Sequence, residues 1–135
     1  MKIITIMVML LVSTVALADK SLIMGGFSHH TSKGYTVDGE LIPWNENNPL
    51  IAVEYNGYLI GEMTNSYNED TTFVGYHHEA RVLGLMFLAS NKYKRSQLPR
   101  VGSIAVGGFL TAKVGPLLFL TIPGNVYVVT IQVKL

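Results

Sequence analysis

The last ten residues set the tightest constraint. In Val126–Leu135, Tyr127, Val129, Ile131, Val133 and Leu135 share one parity, and Thr130, Gln132 and Lys134 take the other. Successive side chains of a strand point to opposite faces, so this segment predicts a strand with one wholly apolar face. Ile51, Val53 and Tyr55 alternate with Ala52 and Glu54 in the same way. Leu83, Leu85 and Phe87 alternate with Gly84, Met86 and Leu88, where both faces are apolar. Such runs recur along the chain, each bounded by Gly, Pro, Asn or Asp. They predict strands near 21–30, 48–56, 58–67, 71–80, 82–91, 101–112, 116–122 and 125–135. No run combines 3.6-residue periodicity with caps, so no helix is expected there. Eight is the smallest common size of a closed barrel. The expected fold class is therefore all-β, an eight-stranded antiparallel up-and-down β-barrel.

The first 18 residues read differently. Lys2 precedes an apolar run from Ile3 to Val12, and Ala16-Leu17-Ala18 has the small-x-small form of a cleavage site. This predicts a secretory signal peptide over residues 1–18 and a single domain over 19–135. The exported part then holds nine basic and nine acidic residues, which offers no basic field for nucleic acid. It has no cysteine, so no disulfide stabilises it.

A barrel in lipid is apolar outside and mixed inside, and a soluble barrel is the reverse. The apolar bias of the strands, with charges gathered in turns and loops, favours the membrane form. A lysine facing mid-bilayer lipid would cost about 2–4 kcal/mol, so Lys134 is expected inside or at the rim. With both termini at one end, strand parity brings His29, His30, Trp44, Asn45, Glu46, Asn65 and Ser66 to the opposite rim. Only one of the adjacent His29 and His30 can face inward.

The order of these stretches resembles a known family. A strand ending in His30 is followed by "PWNENN" leading into "LIAVEY", then "GEMTNSY", "FVGY" and the terminal "TIPGNVYVVTIQVKL". This is similar to the lipid A palmitoyltransferase family of outer-membrane barrels, over most of the chain beyond the signal peptide. The resemblance implies an acyltransferase that moves a palmitoyl chain from a phospholipid to lipid A. It implies a monomer in a bacterial outer membrane, with those two lipids as partners and no cofactor. The family's strand-one histidine falls on His29 or His30, and its Asp-Ser pair falls on Asn65 and Ser66. Asn65 departs from the pattern, because an amide carries no charge. Breaks in strand pairing near prolines admit lipid laterally in that family, which points to Pro116 and Pro123.

A second resemblance rests on fewer residues. His30-Thr31-Ser32, followed by Glu40 and Glu46, is similar to the His-x-Ser and Glu of lipid A deacylases, which are esterases. Two readings of other classes stand beside these. One is a non-enzymatic outer-membrane barrel that binds lipid or a surface partner. The other is a soluble periplasmic barrel holding an apolar ligand. Ordinary structural roles are also expected for several residues. Asn65 and Ser66 suit a turn, Glu54 suits an interior pair with Arg81, and Trp44, Tyr35 and Tyr58 suit interface aromatics. His77 and His78 point to opposite faces and do not share a metal.

Overall fold

The computed structural model describes residues 19–92 and 99–135; the expected signal peptide lies outside them. The described residues are all β, with no helix among them. The strands are β1 (Lys20–His30), β2 (Gly34–Val37), β3 (Glu40–Pro43), β4 (Leu50–Tyr55), β5 (Tyr58–Thr64), β6 (Asp70–Ala80), β7 (Leu83–Ser90), β8 (Arg100–Val101), β9 (Ile104–Val114), β10 (Leu117–Ile122) and β11 (Val126–Lys134). Every expected strand is present. Strands β1, β4, β5, β6, β7, β9, β10 and β11 pair in that order, all antiparallel, and β11 pairs back onto β1. The sheet therefore closes as an eight-stranded barrel.

The two ends differ. At one end lie Asp19, Leu135 and three tight turns at Asn56-Gly57, Arg81-Val82 and Gly115-Pro116. Asn56 and Gly57 both have positive φ, 48° and 84°, as a two-residue hairpin turn that follows strand twist requires. The other end carries the longer connections. One of them holds the β2–β3 hairpin, turned at Asp38-Gly39, which strand parity alone does not anticipate. Short turns at one end and long loops at the other is the usual asymmetry of single-chain outer-membrane barrels.

Side chains sort by parity into a wall and a lumen. The outer wall is apolar through Val74 and Tyr76 on β6, Leu85 and Phe87 on β7, Leu110 on β9, Phe119 on β10 and Ile131 and Val133 on β11. Tyr58 and Tyr76 pack edge to face on this wall near the tight-turn end. Across the middle of the lumen, Ile23, Ala52, Leu59, Phe73, Met86 and Leu118 form a buried apolar layer. Towards the tight turns the lumen is polar. His77 places Nδ1 3.2 Å from a Glu54 carboxylate oxygen and Nε2 3.2 Å from the Thr111 hydroxyl. Gln132 donates to the same Glu54 oxygen at 3.0 Å. Glu54 thus pairs across the barrel with His77 and Gln132, not with Arg81 as expected. Arg81 occupies the β6–β7 turn with φ 62°. His77 faces this network, while His78 points out.

One glycine decides the orientation of the histidines. Between Met24 and Phe27, β1 carries one residue more than β11, with Gly25 at φ 71°. This bulge reverses the parity of everything after it. Ile23 faces in, and so do Gly26, Ser28 and His30, while Phe27 and His29 face out. Nothing crowds the place of a Cβ on Gly25, so its requirement is conformational alone. Gly25→Val is expected to cost about 1–2 kcal/mol, the penalty of a left-handed backbone for a side chain. Urea unfolding of the refolded barrel measures it.

Candidate functional site

Above the apolar layer, at the long-loop end, the lumen opens into a cavity of about 130 Å³. Its walls are Leu50 from β4, Met63 from β5, Leu88 from β7, Phe109 from β9, Leu120 from β10 and Val128 from β11. Its mouth is formed by His30, Trp44, Ser66, Tyr67 and Asn125. An apolar chamber with a few polar groups at its mouth is the usual form of a ligand site.

Each mouth residue is held by a different device. His30 ends β1 and stacks on Trp44, with ring centroids 4.7 Å apart and planes 18° from parallel. Trp44 donates its indole N–H to the Ser32 hydroxyl at 3.0 Å. Tyr35 and Tyr67 close around the indole. Tyr35 and Trp44 therefore form a plug over the mouth and not an interfacial belt. Burial pushes the Tyr67 hydroxyl above the usual phenol range. Tyr35 pushes it further, and Arg100 opposes both, so Tyr67 stays protonated as a donor. The β5–β6 turn presents Ser66. Its shape comes from Asn65, whose amide oxygen accepts the backbone N–H of Tyr67 at 2.9 Å and of Glu69 at 3.0 Å. Asn45 then bridges this turn to the long loop, donating its side chain to the Asn65 carbonyl. Asn48 donates to the Thr64 carbonyl, and its amide oxygen accepts from the Ser28 hydroxyl at 2.5 Å, tying β1 to β5 beneath the mouth.

The sequence-derived candidates separate on this geometry. His30 and Ser66, 36 positions apart in the chain, come together at one mouth. No hydrogen bond joins them among the described residues. The Nδ1 of His30 is buried and has no partner. Its neighbour His29 faces outward, with Nδ1 3.2 Å from Glu46. Asn65 commits its oxygen to the turn, so it caps the loop and does not orient the imidazole. Ser32 accepts from Trp44, and Glu40 lies at the far tip of the β2–β3 hairpin. Glu46 is the carboxylate nearest to the histidines, since the backbone N–H of His30 donates to it at 3.3 Å.

The prolines divide as well. Pro116 lies in a tight turn at the opposite end, away from the chamber, which corrects the expectation for it. Pro123 follows β10 at the mouth. Strand β9 pairs with β10 only from Leu110 to Val114, and with β8 only at Ile104 and Ala105. Between them, Gly107–Phe109 has no strand partner on that side among the described residues. Phe109, Leu120 and Ile122, near this stretch, all line the chamber.

Parity could not reveal the chamber. Its walls come from inward positions on six strands, and which positions share a height depends on strand stagger. No group of His, Cys, Asp or Glu suited to a metal ion occurs among the described residues. No family model, curated protein or solved structure matches this chain.

Proposed function

We propose that the chain is an outer-membrane barrel that binds an acyl chain in its lumen and transfers it, in the manner of a lipid A palmitoyltransferase, from a phospholipid to a lipid A hydroxyl. One observation carries the reading: an apolar chamber, walled by Leu50, Met63, Leu88, Phe109, Leu120 and Val128, opens at a mouth holding His30 and Ser66. Lipid surrounds the barrel because its outer wall is apolar, with Leu85 and Phe87 about half exposed (45% and 54%). A monomer in water rarely exposes a continuous apolar patch beyond about 300–600 Å². The chain tail occupies the chamber, and its ester group stops at the mouth.

The chemistry rests on the His30 imidazole at the mouth. His30 takes the proton of the acceptor hydroxyl as its oxygen attacks the ester carbonyl, then returns it to the departing alkoxide. The Ser66 hydroxyl donates to the oxygen that becomes negative in between. Asn65 and Trp44 act by position: the first shapes the turn that carries Ser66, and the second fixes the imidazole plane. His30→Ala is expected to lower transfer by on the order of a hundredfold, the usual contribution of a general base. Mass spectrometry of lipid A from cells producing each form reads the result. Full transfer by His30→Ala contradicts the assignment.

The absence of a carboxylate at Asn65 favours a second reading, in which the same chamber holds an acyl chain without turning it over. In that case the wild-type protein leaves the lipid A profile unchanged while still binding amphiphiles.

A further inference from the structure

A second cavity, of about 380 Å³, adjoins the chamber. The two share His30 and Trp44 and nothing else, so the stacked pair forms the partition between them. The chemistry on the two sides is opposite. The chamber is walled by aliphatic side chains and Phe109, whereas the second cavity is lined by His29, Thr31, Ser32, Lys33 and Glu46. It lies on the outer side of the rim, because His29 faces out where His30 faces in. Phe27, 63% exposed on the same outer face two residues earlier, marks the apolar wall just below it.

The second cavity holds one carboxylate, Glu46, and one ammonium, Lys33. Glu46 is engaged by His29 and by the His30 backbone N–H. Lys33 makes no ion pair among the described residues. The Ser32 hydroxyl accepts from Trp44 and keeps its own proton to donate. An ammonium beside a free hydroxyl donor suits a phosphate oxygen, through charge-assisted hydrogen bonds.

We infer that the rim cavity of Lys33, Ser32 and His29 binds the phosphate of an amphiphile whose acyl chain occupies the adjoining chamber, so that the bond joining head to chain lies at His30. The inference rests on the acyl-chain reading of the chamber and adds the headgroup chemistry to it.

Trp44, the only tryptophan of the chain, stands in the partition and reports on both sides. The full-length barrel, refolded and held in an uncharged amphipol, is titrated with dodecyl phosphate, uncharged dodecyl glucoside and inorganic phosphate while Trp44 emission is followed. Dodecyl phosphate is expected to shift the emission at roughly tenfold lower concentration than the glucoside, as one charge-assisted contact provides. Lys33→Ala removes that advantage and leaves the glucoside response intact, while Lys33→Arg keeps it. Inorganic phosphate has no effect at the concentrations where dodecyl phosphate acts. Equal response to the two amphiphiles, or an advantage that survives Lys33→Ala, overturns the headgroup site but leaves the chamber. A response to inorganic phosphate alone makes this a free-anion site and also overturns it. Silence towards both amphiphiles removes the chamber reading as well.

Discussion

His77→Ala is expected to cost about 1–3 kcal/mol, the range for leaving a buried polar group without its partner. The His77 side chain is 1% exposed, and it stands between the Glu54 carboxylate and the Thr111 hydroxyl. Without it, Glu54 keeps only the Gln132 amide among the described residues. The loss comes from a mostly buried carboxylate, 14% exposed, left short of donors more than from the missing contact itself. The double variant Glu54→Leu with His77→Leu is therefore expected to recover most of the stability, because apolar groups replacing both hydrogen-bonding partners cost little. Urea unfolding of the refolded single and double variants measures both. A double variant as unstable as His77→Ala would show that the network stabilises by its own bonds.

Phe87→Lys is expected to cost about 2–4 kcal/mol when the barrel is folded into lipid, the price of a lysine near the bilayer midplane. Phe87 lies midway along β7, with its ring on the outer wall. Tyr127→Lys, on the same wall but near the long-loop rim, is expected to cost only about 0–1 kcal/mol, because a lysine there reaches the headgroups. Folding equilibria in phospholipid vesicles supply the numbers. The contrast tests the environment. In water both residues are surface positions, and a lysine at either would change stability by about 0.5 kcal/mol or less. Equal, small effects would place the barrel outside a membrane.

The eight strands were legible because alternation of two is local and needs no partner. Tyr127 to Leu135 declare a face whatever lies beside them. The Asn56-Gly57 and Gly115-Pro116 pairs likewise announce their turns. The β2–β3 hairpin was equally announced, by Asp38-Gly39, but four-residue strands inside a long polar loop are too short for alternation to stand out. The choice between His29 and His30 was not legible, for a definite reason. Alternation counted forward from Ile23 puts His29 inside, and the bulge at Gly25 inverts the count. Nor could the partner of Glu54 be read. His77 and Gln132 lie 23 and 78 positions away, and only barrel closure brings them to it. The meeting of His30 with Ser66 followed from parity alone, whereas the apolar chamber beneath them depends on strand stagger.

The most direct test is where an acyl chain goes. With the barrel carrying methyl-labelled leucines and a bound hexadecyl amphiphile, through-space NMR contacts from the chain separate the lumen from the outer wall. Contacts to Leu50, Leu88 and Leu120, all lining the chamber, are expected alongside those that surrounding lipid makes with Leu85, Leu110 and Leu117. Contacts confined to the outward leucines, with the three inward ones silent, would contradict a chamber built to hold the chain.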